Sequence, residues 1–448
     1  MSKHLHRWGR AALVTTALTS AALVAAPFAS APAFAGVPSP LSSRTHFYVP
    51  KAPDGSKQQI KQLVESGHKK DAALVAAEVT TPQAVWFTDG TPKQVRQQVR
   101  QVAHKAAAKR AVPTLVVYNV PGRDCSQYSS GGAGSDAAYR AWIDGFAGGL
   151  VKGQKVIVVV EPDGLTNLPA DCPSAYPGQE VGTFPNPAPG TLTAGRIADI
   201  AYAGTAIKKA NRNALVYLDA GHSGWKGVGE LTDRLLAAKV QRVQGFSLNV
   251  SNYQWTSNLS EYGTWVSSCL ALHPDGKNTA DCPNQYWNGG PGGPASPGAL
   301  DNAKQWSPTA TDPAANTAGI DARFATALAA AKVQPTARFV LDTSRNGQGP
   351  WAPAAGTYAN DPQVWCNPPG RGLGARPKAV PSKAYPQLDA YLWIKTPGQS
   401  DGQCNRGVVG STTDPEWGGI TDPAAGAWFP QQALQLAKLA SPKLSTRH

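Results

Sequence analysis

Charged residues are scarce in this chain of 448 residues: Asp, Glu, Lys and Arg make up 16%, against 42% hydrophobic residues. That balance excludes wholesale disorder, because such a chain can bury enough apolar surface to offset its conformational entropy. Methionine occurs once, against 13 tryptophans, and flat aromatic faces suit sugar rings as well as cores. Despite a net charge of +13, no block of Lys and Arg interleaves with aromatics, so nucleic acid is not an expected partner. No run beyond the N-terminal segment is apolar and long enough to span a bilayer, and no membrane partner is expected. The C-x-x-C spacing of zinc ribbons and thioredoxin-like redox centres is missing. No H-x-x-x-H or Asp-x-Asp loop accompanies His222, so neither a metal nor another cofactor is expected. The G-x-S-x-G elbow of serine hydrolases and the Gly-rich dinucleotide turn are absent too.

What is present begins with a processing signal. Lys3, Arg7 and Arg10 precede the apolar run AALVTTALTSAALVAA, and Ala33-Phe34-Ala35 offers an A-x-A cleavage site. Without an Arg-Arg pair, the Sec route is favoured over the twin-arginine route. We expect residues 1–35 to be a signal peptide and residues 36–448 to form one secreted catalytic domain. The six cysteines are an even set in an exported chain and predict disulfides, although counting alone leaves 15 pairings open.

Between these signals one pattern recurs, a short β-branched run that ends in polar or acidic residues. TLVVYNV leads to Asp124, KVIVVV to Glu161 and Asp163, ALVYL to Asp219, GFSLNV to Ser251 and Asn252, RFVL to Asp342, and AYLWI to Lys395 and Asp401. Alanine-rich segments of helical spacing, such as VRQQVRQVAHKAAAKR, lie between several of them. Continuous apolar runs read as parallel strands covered on both faces, and their alternation with helices predicts an α/β barrel. In a barrel, loops that follow the strands converge over one cleft. Asp124, Asp163, Asp219 and Asp401 would then share it, and mutual repulsion raises the pKa of at least one. A protonated carboxyl beside one kept ionised by Arg123 or Lys395 suits glycoside hydrolysis.

Arg123-Asp124-Cys125, Glu161-Pro162-Asp163-Gly164-Leu165-Thr166-Asn167-Leu168, Tyr217-Leu218-Asp219-Ala220-Gly221-His222-Ser223-Gly224-Trp225 and Trp365-Cys366-Asn367 resemble glycoside hydrolase family 6, cellulases acting on β-1,4-glucan. Asn249-Val250-Ser251-Asn252-Tyr253, Asp342-Thr343-Ser344-Arg345-Asn346-Gly347 and Leu392-Trp393-Ile394-Lys395 continue the match in order, over roughly residues 80 to 435. The resemblance implies a distorted (β/α) barrel of about seven parallel strands, with the active site at their C-terminal ends, and inversion at the anomeric carbon. It implies that Asp163 is the general acid, that Asp124 holds the acid's proton, and that Asp401 is base or charge stabiliser. Ser130 would help hold the attacking water, and Tyr118 would press on the sugar ring. Asp219, His222, Trp225, Asn249, Asn252, Trp365 and Lys395 would contact glucose units or orient residues that do. The same resemblance pairs Cys125 with Cys172 and Cys366 with Cys404, leaving Cys269 and Cys282 as a local pair.

Two positions depart from the family's pattern. Gln399 stands where glutamate is usual, which keeps a hydrogen-bonding carbonyl and loses a charge near a sugar contact. Val228 stands where cellobiohydrolases of the family carry a tryptophan platform. With DTSRNGQGPW and NPPGRGLGARP, which look like the family's bacterial endoglucanases, that valine predicts internal cleavage. Exo action and a carbohydrate-binding pseudoenzyme are the alternatives. A monomer without a cellulose-binding module, acting on a β-glucan polysaccharide, is expected.

Overall fold

β-Branched residues crowd where the chain extends, because their side chains pack well on a pleated surface. The computed structural model describes residues 39–286 and 299–445; the expected signal peptide lies outside them. The strands are Val85–Phe87 (β1), Thr114–Val117 (β2), Val156–Val160 (β3), Ala214–Asp219 (β4), Gly245–Leu248 (β5), Arg338–Asp342 (β6), Lys378–Ala379 (β7) and Leu388–Leu392 (β8). They form one sheet in the order β1-β2-β3-β4-β5-β6-β8-β7. Every pairing is parallel except that of β7 with β8. The sheet therefore has the seven parallel strands of the expected distorted barrel, plus a short antiparallel edge. Sequence reading missed that edge and β1, both too short to show a periodicity.

Helices cover the sheet between strands. They are Ser56–Glu65 (α1), Lys69–Val79 (α2), Pro92–Ala108 (α3), Asp136–Gly149 (α4), Leu192–Ala210 (α5), Val228–Ala237 (α6), Thr256–Leu272 (α7), Ala318–Ala331 (α8) and Pro430–Lys438 (α9). Their starts are legible chemically. Thr91 caps α3 in a reciprocal box with Gln94, with Pro92 in the first turn, and Ser135 and Thr191 cap α4 and α5.

Alternate residues of each strand serve two cores, as a period of two requires. Leu115, Val117, Val158, Val160, Val216, Leu218 and Phe339 pack under the helices. Val116, Tyr118, Ile157, Val159, Leu215, Tyr217, Val340 and Leu392 fill the inside of the curled sheet. The wall does not close by a strand ladder between β1 and β8. Ala84 N–H donates to the Trp393 carbonyl at 2.9 Å, and Trp86 Nε1–H donates to the Ile394 carbonyl at 2.8 Å across 308 positions. Near the start of β8, Asp389 is buried and accepts from the Tyr217 hydroxyl at 2.6 Å. It also pairs with Arg338 and accepts from the Ser39 hydroxyl, 350 positions earlier.

One buried acid works against this packing. Glu78, near the end of α2, is fully buried, and neither carboxylate oxygen has a hydrogen-bond partner. Burial alone pushes its pKa well above the ordinary 4.5, so the folded protein holds it neutral. The unfolded chain releases that proton above the ordinary value, so stability falls as pH rises from there toward the folded pKa. Glu78→Met should therefore raise stability at pH 8 by about 1–3 kcal/mol, with much less gain at pH 4. Urea titrations at the two pH values check this, and an equal gain at both would remove the ionisation argument.

Candidate active site

The loops that leave the C-terminal ends of the parallel strands meet around a cavity of ≈ 360 Å³. Asp124, Asp163, Lys395 and Asp401 line it together with Trp86, Tyr118, Trp225, Tyr253, Trp351 and Trp365. Carboxylates of opposite tendency thus share one aromatic-walled space.

Asp163 follows β3 in the left-handed region, with φ +62°, as does Glu161 with φ +51°. Such strain persists only where the surroundings fix it. Here they do. The fully buried Glu161 accepts from the Asn119 and Val120 amides at 3.0 and 3.1 Å and from the Tyr139 hydroxyl at 2.9 Å. It ties the end of β3 to the segment that follows β2. Asp163 N–H donates to Asp219 Oδ1 at 2.9 Å, and Asp219 also accepts from Gly221 N–H and the Ser247 hydroxyl. Asp163 keeps part of its surface open to the cavity, while its Oδ1 is buried without a hydrogen-bond partner. Burial, then the nearby Asp219, Asp124 and Asp401, raises its pKa well above the usual carboxylate range. It is the group in this site best able to donate a proton.

Asp124 lies in the loop after β2. Its φ of +60° and that of Cys125, +47°, are both left-handed, and a disulfide holds the turn by joining Cys125 to Cys172. Asp124 Oδ2 accepts from Ser129 N–H at 2.6 Å. Burial pushes its pKa up to about 6, against the pull of the Ser129 amide and Arg123. The Arg123 guanidinium also lies 4.7 Å from the centre of the Tyr118 ring.

Asp401 behaves in the opposite way. Arg345 grips both of its oxygens, at 2.9 and 3.0 Å, and Lys395 Nζ lies 3.0 Å from Oδ1. The Tyr253 hydroxyl and Asn367 N–H donate to Oδ2 at 3.1 and 3.0 Å. Burial opposes ionisation, yet the two cations hold the carboxyl well below the usual range. Asn367 locks the segment further: its Oδ1 accepts from Asp401 N–H, and its amide group donates to Ser400, Gly402 and Asp422. A second disulfide joins Cys366 to Cys404 on either side of it, and the third joins Cys269 to Cys282.

The remaining expected residues separate into wall, floor and outside. Tyr118, His222, Trp225, Asn252, Trp365 and Lys395 line the cavity. His222 Nδ1 accepts from Gly224 N–H at 3.2 Å, and burial drops its pKa to about 4, so the ring is neutral with Nε2 as donor. Asp219 and Asn249 are buried in the floor; Asn249 holds the Asp342 carbonyl and Gln254 N–H. Ser130 is exposed and does not line the cavity; its neighbour Ser129 does, held through its backbone by Arg123 and Asp124. Gln399 is half-buried and off the cavity, bridged through its backbone to Trp428. Val228 is fully buried in the first turn of α6, so this position presents no platform to a sugar.

Sequence reading did not assign Arg345, Tyr253 or Trp86 to the site. Arg345 had a signal: it is the first cation after the RFVL strand, on the same rim as Asp401.

A family comparison places this arrangement. The description "Glycosyl hydrolases family 6" matches residues 42–440. The chain belongs to glycosyl hydrolase family 6. Among similar proteins, Endoglucanase A of Cellulomonas fimi is 32% identical over 371 residues, covering 83% of this chain and 57% of that protein. A probable 1,4-beta-D-glucan cellobiohydrolase C of Aspergillus fumigatus is 30% identical over 363 residues, covering 76% of this chain and 64% of that protein. The chain thus spans less than two thirds of either relative. The structure of the endoglucanase Cel6 from Mycobacterium tuberculosis, in complex with methyl-cellobiosyl-4-deoxy-4-thio-β-D-cellobioside, superposes with a TM-score of 0.58. It is 28% identical and covers 88% of this chain and 97% of that one. Family 6 membership and the curled parallel sheet therefore agree.

Proposed function

We propose that the protein is a secreted, inverting glycoside hydrolase that cleaves internal β-1,4-glucosidic bonds of cellulose-like glucan. One observation carries the reading: Asp163, kept protonated, shares a cavity with Asp401, kept ionised by Arg345 and Lys395. Asp163 gives its proton to the leaving glycosidic oxygen as the bond to the anomeric carbon breaks. The Asp401 carboxylate, whose lone pairs are already engaged, supports the positive charge that develops on the sugar ring. A water adds to the opposite face of the anomeric carbon and loses a proton to solvent, and Asp163 takes a proton back, which completes hydrolysis. Asp124, poised between its two protonation states near pH 6, shares the acid's proton. Aromatic faces at Trp86, Tyr118, Trp225 and Trp365 suit stacked glucose rings.

The endoglucanase names of similar proteins support internal cleavage. Three disulfides suit an oxidising, extracellular setting, reached after residues 1–35 are removed as a signal peptide. Cellobiohydrolase-type exo action is the second reading, favoured by the similarity to a probable cellobiohydrolase C.

Inversion supplies the test. Water must enter on the face opposite the leaving group, which sets paired carboxyls ~6.5–9.5 Å apart rather than ~5–5.5 Å. Hydrolysis of a cello-oligosaccharide should therefore release the α-anomer first, before mutarotation. Proton NMR during the first minutes reads the anomer directly. A β-anomer appearing first would require a covalent intermediate and defeat the assignment.

A further inference from the structure

Most of the described tryptophans donate their indole N–H to an oxygen of the protein itself. Among the described residues Trp225, Trp351 and Trp365 do not, and all three line the cavity. Trp351 lies in the segment after β6 and has no part in the acid chemistry. It is half-buried, and the Arg406 guanidinium lies over its ring, 5.1 Å from the centre.

Arg406 is fully buried, and each of its five N–H groups is taken. Nε and Nη2 bind the two oxygens of Asp414. Nη1 donates to the carbonyls of Gln363 and Cys366 at 3.1 and 2.6 Å, and Nη2 to that of Asn367 at 2.9 Å. These donors radiate in the guanidinium plane, so only its faces remain for packing, and the Trp351 indole takes one. The approach to Trp351 is fixed as well. Gly349 has φ +68°, and a Cβ there would stand 2.1 Å from the Trp255 indole, so the backbone lies directly on that ring. Pro350 follows with its own φ locked.

We propose that Trp351 is a further sugar platform of the cavity, set in place by Arg406, for a glucose unit away from the bond that breaks. The hydroxyls of a β-1,4-linked glucose are equatorial, so the ring presents C–H faces that match a flat indole. An indole already backed by a buried cation and a stiff approach loses little freedom when a sugar covers its other face. Its unspent N–H can reach a hydroxyl at the sugar's edge. Trp351 makes none of the contacts that tune Asp124, Asp163 or Asp401, so it holds the chain and does not move the proton. Arg406 is a positioning residue, and through Asn367 it shares one scaffold with Asp401. The inference rests on the β-glucan reading above and adds a binding site to it.

Steady-state kinetics on cellohexaose compare wild type, Trp351→Phe and Trp351→Ala. A platform under a sugar that does not react binds ground state and transition state alike, so its loss raises KM and spares kcat. Trp351→Ala should raise KM roughly fivefold or more, with kcat within about twofold. Trp351→Phe keeps a smaller flat face and should raise KM by less; it serves alone if the alanine variant fails to fold. Calorimetry of cellohexaose binding in an Asp163→Ala background reads the platform without turnover, and adding Trp351→Ala should weaken binding by the same factor. Unchanged KM and affinity overturn the platform. So does a fall in kcat at constant KM, the mark of a residue that only shapes the site. Wild type that leaves cellohexaose uncleaved, with Asp163→Ala unable to bind it, overturns the β-glucan reading and the platform with it.

Discussion

Asp163→Ala lowers turnover on unactivated glucan by roughly 10²-fold or more, the typical worth of a general acid. The expectation follows from the environment of the carboxyl. Its Oδ1 is buried and unpartnered, and three acids crowd it, which raises its pKa and makes it the group best placed to give up a proton. A substrate whose leaving group departs as a stable anion needs no such proton. The loss should then shrink by an order of magnitude or more on, for instance, a dinitrophenyl cellobioside. Steady-state rates on both substrates decide the matter, and equal losses would move the acid to another residue.

Arg345→Leu should have the largest effect on stability. Removing one partner of a buried ion pair strands the other, at about 3–5 kcal/mol; Lys395 remains beside Asp401, so about 3 kcal/mol is the expected end of that range. The pH dependence follows from the depressed pKa. Ionised Asp401 stabilises the fold above its ordinary value of 3.8, and that contribution is lost only as acid protonates the folded carboxylate. Without the guanidinium the folded pKa rises, and the loss moves to higher pH. Urea denaturation at pH 7 measures the cost, and adding Asp401→Asn should recover part of it, since the two side chains act as a unit. A single-variant loss below about 1 kcal/mol would mean that Lys395, Tyr253 and Asn367 suffice.

The long apolar runs made the barrel legible. KVIVVV became β3 and ALVYL became β4, because strands covered on both faces leave an uninterrupted signal. The gathering of Asp124, Asp163 and Asp401 in one cavity was legible for the same reason, since each follows such a run. β1 was not: three residues, Val85–Phe87, carry no period. Inside the loops, direction was lost as well. Ser129 and Ser130 are chemically alike, and nothing in that pair tells which of them lines the cavity. Val228, at the position read as lacking a tryptophan platform, is fully buried in the first turn of α6.

The way the wall meets itself bears on how the chain comes into being. Trp86 waits for Ile394, 308 positions later, and Ser39 waits for Asp389, 350 positions later. A chain emerging at ~5–20 residues per second leaves the outer edge of β1 without these partners for roughly 15–60 s. Throughout that interval the apolar residues that line the inside of the curled sheet are open to neighbours, the condition that favours aggregation. Contacts so distant in sequence also make the final closure slow. Synthesis of this protein is thus a period of exposure that ends only when its last parallel strand arrives.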